Sequence, residues 1–178
     1  SKFDNPYTGC TTLINVDNEK LSAAYDIRGN INKIAISVRN IAITSDQNYT
    51  DEKKKIIDEN KALYYENQKK IDNLIYTEAG KNNFKKVKDN VEIAFSAFDD
   101  AVKKSERSDT TDDKFQNIID GLEKPQNDAF TSIQEFVNGQ VEANHEKGDT
   151  TQQATATASK LMITILLISI ILGIVFTY

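Results

Sequence analysis

The sequence predicts an all-α fold, an antiparallel up-down-up-down four-helix bundle over residues 17–159 followed by a C-terminal transmembrane helix at residues 160–178. Three observations predict it. Apolar residues recur at steps of three and four along most of the chain, which is the period of one helix face. Residues that break helices gather in short connections between these periodic stretches. The chain then ends on an uncharged apolar run, Leu161 to Tyr178. Sustained alternation at period two, the mark of strands, is absent.

Residues 1–16, with Pro6 and Gly9, are assigned no element. Helix one is expected over Asp17 to Asp46, where Ala24, Ile27, Ile31, Ile34, Val38 and Ile41 follow the a/d spacing of a coiled-coil seam. Ser45 to Asn48 should stop it, and Thr50 with Asp51 and Glu52 should cap the next helix and meet its positive dipole end. Helix two then runs about Asp51 to Glu78, with Ile57, Tyr64, Ile71 and Leu74 on one face and Asn60 and Asn67 at seam positions between them. Ala79-Gly80-Lys81 reads as its C-cap turn, because glycine accepts the left-handed conformation that ends many helices.

Helix three is expected from about Asn82 to Arg107, with Phe84, Val87, Val91, Ala94, Phe98 and Ala101 as its seam. The polar turn Ser108 to Asp113 precedes a fourth helix that carries Phe115, Ile119, Leu122, Ala129, Ile133, Phe136 and Gln140. Pro125 lies inside it, and a proline there removes a backbone donor and crowds the preceding turn, so a kink or local opening is expected around Gly121 to Gln126. Three short connections make sequential neighbours antiparallel. Continuity should be weakest at Lys147 to Thr151, before the chain enters the apolar run.

At about 1.5 Å per residue, the run from Leu161 covers roughly 27 Å, close to the ~30 Å hydrocarbon core of a bilayer. A buried core helix of that composition would need a protein shell on every side, which a short chain with 28% charged residues does not offer. The chain begins without Met and ends on this run, so it reads as a piece of a longer membrane protein. No apolar segment near residue 1 suggests a signal peptide.

Composition narrows the function. A net charge of −5 gives no basic footprint for nucleic acid. One cysteine, Cys10, forms no intrachain disulfide and defines no metal site alone. One histidine, His145, sits among polar residues and reads as solvated. Phosphate-cradling glycine patterns are missing, and the acidic pairs Asp99-Asp100 and Asp112-Asp113 are sequence neighbours that diverge on a helix. Neither an enzyme nor a cofactor or metal protein is therefore expected. Asn48-Tyr49-Thr50 matches a glycosylation sequon.

The informative polar groups lie on helix one, where Arg28, Asn32, Ile36, Arg39 and Ile43 form a second stripe beside the seam. Arg28 and Arg39 are eleven residues apart, so they point the same way about 16 Å from each other and cannot grip one small ligand together. Two readings stand side by side. Both arginines cover surface isoleucines and pair with Asp or Glu, or Ile36 and Ile43 pack against a second copy of helix one while Arg39 holds an anion.

The run IRGNINKIAISVRN on helix one, the Lys124-Pro125-Gln126 break in helix four and the terminal apolar run together resemble methyl-accepting chemotaxis proteins. The match is to their four-helix-bundle ligand-binding domain with its second transmembrane helix, over about residues 17–178. The resemblance implies a bundle outside the cytoplasm, a cell-membrane location and homodimerisation through helix one. It also implies a small carboxylate or amino-acid ligand held between helix one and helix four near a proline. Carried onto this chain, the ligand-binding residues are Arg39, Lys124, Pro125 and Gln126, with Arg28 further along the same face. Aspartate-type members of that family follow the proline with threonine, where Gln126 stands here. Two alternatives use the same architecture: a tail-anchored tether or SNARE-like interaction protein, and the sensor half of a histidine kinase or cyclase.

Overall fold

The computed structural model describes residues 6–107, 112, 115, 116, 118–143, 157, 159 and 162. Its contacts divide the chain into residues 1–140 and 141–178. The first unit is built from α1 (Pro6–Ala42), α2 (Gln47–Leu74), α3 (Glu78–Arg107) and a fourth helix, α4, from residue 118, in a helical stretch that continues to residue 143. The described residues contain no strand.

Polar bridges fix the directions of the four helices. Arg28 meets Gln134 and Arg39 meets Gln126, so α4 descends as α1 rises. Lys54 pairs with Glu106, Lys61 with Asp99 and Lys88 with Asp72, so α2 and α3 are antiparallel as well. Lys86 with Glu135 and Asn90 with the Asp128 carbonyl do the same for α3 and α4. This is the expected up-down-up-down bundle.

Every residue of the expected α1 and α3 seams is buried, and Phe84 on α3 packs its ring 5.1 Å from that of Phe136 on α4. The other two seams differ in detail. On α2, Leu74 is half-buried and Ile75 takes its place in the core. On α4 the buried row is Ile118, Leu122, Gln126, Ala129, Ile133 and Phe136, with Ile119 half-buried beside it. Helical spacing allows either Ile118 or Ile119 one turn before Leu122. Phe115, expected in the seam, is 42% exposed. With Arg39 opposite Gln126, the position facing Phe115 falls beyond Ala42, so no α1 residue is there to cover it.

Five expected boundaries also move. α1 begins at Pro6 rather than Asp17, with proline in the first turn, where its missing N–H costs no helical bond. It ends at Ala42, short of Asp46. The cap of α2 is Asp46, not Thr50: its carboxylate accepts from the Asn48 and Tyr49 amides at 2.9 and 3.3 Å, while the Thr50 hydroxyl donates back to the Asp46 carbonyl. α2 stops at Leu74 with Ile75 extended, and Gly80 falls in the first turn of α3, where no glycine C-cap exists. Thr77 is the cap there, its hydroxyl accepting from the Gly80 amide at 3.1 Å. A Cβ on residue 80 would come within 2.9 Å of that hydroxyl, so glycine is required by closeness rather than by a left-handed backbone.

The centre of the bundle is partly polar. Asn30 and Asn60 are both buried, twelve residues before the end of α1 and thirteen after the start of α2, hence at the same height across the hairpin. The Asn30 amide nitrogen, the Asn60 amide oxygen and the Tyr64 hydroxyl have no hydrogen-bond partner among the described residues. The Tyr64 ring is packed edge-on against Tyr65 and Phe95, each 5.0 Å away, and burial pushes its phenol above the ordinary range, helped by the charge of Glu92. A buried unpaired hydroxyl costs about 1–3 kcal/mol. Tyr64→Phe is therefore expected to raise the stability at neutral pH by about 1 kcal/mol, read as a thermal midpoint roughly 2–4 °C higher.

The same substitution has a signature at alkaline pH. The folded phenol holds its proton more tightly than the unfolded one, so the unfolded state binds fewer protons above about pH 10 and stability falls from there upward, by about 1.4 kcal/mol per pH unit. That fall should be weaker in Tyr64→Phe. An identical alkaline profile in both proteins would place the sensitivity at another tyrosine, such as Tyr65, whose phenol is also raised by burial and by its bond to Glu92.

In the second unit, the described residues 141–143, 157, 159 and 162 are helical. Among the described residues no helix is long and apolar enough to cross a membrane. The expected spanning run, apart from Met162, and the expected weak point at residues 147–151 lie outside the described residues.

Candidate ligand site at the corner end of the bundle

Arg39 is in the last turn of α1 and half-buried. Its Nη2 donates to Oε1 of Gln126 at 2.8 Å. Gln126 can reach it because it occupies a seam position of α4, one step after Leu122, and is only 8% exposed. The two side chains that sequence reasoning placed at one site, 87 residues apart in the chain, thus touch across the α1–α4 seam.

Beside this bridge is a cavity of about 280 Å³ lined by Arg39, Ile119, Leu122, Glu123 and Asn127. A guanidinium carries five N–H donors in a planar fork. Gln126 takes one of them and supplies no negative charge. All ion pairs among the described residues are made by lysines, so no described carboxylate lies within ion-pair distance of Arg39 or Arg28. The expectation that these arginines pair with Asp or Glu is corrected accordingly: each bonds a glutamine. A charged fork with spare donors at a part-apolar cavity is suited to a carboxylate, which accepts two parallel N–H bonds. Glu123, on the same wall, penalises a ligand with a second negative charge.

The other expected site residues are distributed differently. Pro125 is half-buried, and the helix runs unbroken through it, so the expected local opening at residues 121–126 is not there. Proline still leaves the carbonyl four residues earlier, that of Gly121, without its helical donor. Lys124 is 84% exposed at its side chain and pairs along the helix with Asp128, away from the cavity lining. Arg28 donates to Gln134 at 3.2 Å and covers the Phe130 ring, so it belongs to a separate point on the same seam. Ile36 on α1 stands 47% exposed, and Ile43, expected on the same helix, is 57% exposed in the turn just past its end. Glu123 and Asn127 were not singled out from the sequence. Their spacing from Gln126 puts them on its flanks, a signal that became legible only once Gln126 was known to be buried.

Two further cavities occupy the same end of the bundle. One, of about 100 Å³, is polar and is lined by the α1–α2 turn together with Ser105 and Glu106. The other, of about 230 Å³, lies between α2 and α3. No group of His, Cys, Asp and Glu suited to a metal ion occurs among the described residues. Comparison with known proteins finds no matching family model, no similar curated protein and no similar solved structure.

Proposed function

We propose that this chain is the extracytoplasmic sensor domain of a transmembrane chemoreceptor, anchored by the run Leu161 to Tyr178, with a small carboxylate as its ligand. The observation that carries it is the Arg39–Gln126 bridge beside the α1–α4 cavity, an uncompensated guanidinium at a junction between two helices. A ligand held there touches both helices, and a small displacement of α4 against α1 is the signal it would impart. The resemblance of helix one and of the Lys124-Pro125-Gln126 segment to methyl-accepting chemotaxis proteins supports the same reading. Because Glu123 shares the cavity, a monocarboxylate, amino acids included, suits it better than a dicarboxylate. Titration calorimetry of the full chain in mild detergent, against a panel of amino acids, monocarboxylates and dicarboxylates, is the test. Binding of a panel member supports the sensor, and binding of none favours the tail-anchored tether.

The exposed Ile36 on α1 and Ile43 just past its end support homodimerisation along α1. Ile36→Glu combined with Ile43→Glu is expected to leave the helical circular dichroism unchanged and to convert dimer to monomer in sedimentation. A dimer that persists unchanged puts the interface on another face.

A further inference from the structure

α2 and α3 approach each other less closely than α1 and α2 do. Bulky rings stand between them, Tyr64 and Tyr65 from α2 against Phe95 from α3. Nearer the α1–α2 turn, this separation leaves the cavity of about 230 Å³ lined by Lys54, Ile57, Asp58, Asp99, Val102 and Lys103.

Two of its charges pair across the helix interface rather than along their own helices. From sequence spacing alone, Lys54 with Asp58 and Asp99 with Lys103 would pair along their own helices, four residues apart. The structure uses their partners across the interface instead: Lys54 pairs with Glu106, and Asp99 with Lys61. Asp58 and Lys103 are left without a hydrogen-bond or ion-pair partner among the described residues, on facing helices and on the wall of one cavity. They do not pair with each other. Between them the floor is apolar, formed by Ile57, which is buried in the core, and Val102, which packs against it.

We propose that this α2–α3 cavity is a second ligand site, for a zwitterionic α-amino acid with a branched apolar side chain. The ligand ammonium meets the Asp58 carboxylate, the ligand carboxylate meets the Lys103 ammonium, and the side chain covers Ile57 and Val102. Each unpaired charge thereby gains a partner of opposite sign, and the apolar floor leaves water. A ligand with only one charge would satisfy one wall and leave the other as it is. The site does not depend on the α1–α4 cavity, which lies on the other side of the bundle and uses different residues.

The test is titration calorimetry of the full chain with L-leucine, with 4-methylpentanoate and 3-methylbutylamine as analogues lacking the ammonium or the carboxylate. Leucine is expected to bind, and each analogue at least about tenfold more weakly. Asp58→Asn and Lys103→Gln are each expected to weaken leucine binding by roughly tenfold, about 1.4 kcal/mol. Both positions are exposed, so the helical circular dichroism should stay unchanged. Absence of leucine binding, or binding indifferent to both substitutions, overturns the proposal. If leucine binding is instead lost in Arg39→Ala while Asp58→Asn and Lys103→Gln leave it intact, the second site falls and the α1–α4 site stands.

Discussion

Phe136→Ala is expected to destabilise the bundle by about 3–5 kcal/mol, the largest single-residue effect on stability at the α3–α4 seam. The ring is almost fully buried and packs against Phe84, so truncation removes apolar burial and leaves a cavity that two helices at fixed spacing cannot close. Against a total stability of about 5–15 kcal/mol for a domain, the loss takes a third or more of what holds the fold. Phe115→Ala, by contrast, should change stability by less than about 0.5 kcal/mol, because Phe115 stands beyond the end of α1 and is already in contact with water. Urea unfolding followed by circular dichroism measures both. Equal losses at the two positions would restore Phe115 to the seam and shift the register of α4 against α1.

That pair of phenylalanines shows where sequence periodicity is informative and where it stops. On α1 and α3 the apolar positions are dense enough that only one face is continuous, and every expected residue is buried there. On α4 two isoleucines are adjacent and a glutamine fills a seam position, so spacing alone admits two rows; Ile118 and Gln126 went unread as core. Hydropathy does not mark a buried glutamine. What satisfies Gln126 in that buried position is its bond to Arg39, a tertiary fact. The meeting of Arg39 with Gln126 was nevertheless implied by the resemblance to chemotaxis receptors, and short corners agree with it by placing both residues near the same end. The chain breaks were read less well. Ala79-Gly80-Lys81 has the composition of a helix stop, yet Thr77 competes for the same amides as an N-cap, and only the packing of Ile75 decides between them. Asp58 and Lys103 were hidden for the opposite reason: each has an opposite charge four residues away, and spacing cannot reveal that the neighbour is taken by another helix.

Arg39→Ala should weaken carboxylate binding roughly 10- to 150-fold, the loss of a charge-assisted hydrogen bond of ~1.5–3 kcal/mol. Arg28→Ala should have a much smaller effect, because its guanidinium is about 16 Å further along α1 and engaged with Gln134 and Phe130. Removing Arg39 also leaves the buried Gln126 oxygen without its donor, so the variant is expected to be less stable as well. Gln126→Leu separates the two effects: the guanidinium keeps its charge but loses the acceptor that holds it against α4. Its binding should lie between that of the wild type and that of Arg39→Ala, whereas an effect through stability alone would give the two variants similar affinities once both are measured well below their unfolding temperatures. If a panel carboxylate binds and Arg39→Ala binds it as tightly as the wild type does, the ligand is not in the α1–α4 cavity. The guanidinium then serves only to tie α1 to α4 through Gln126.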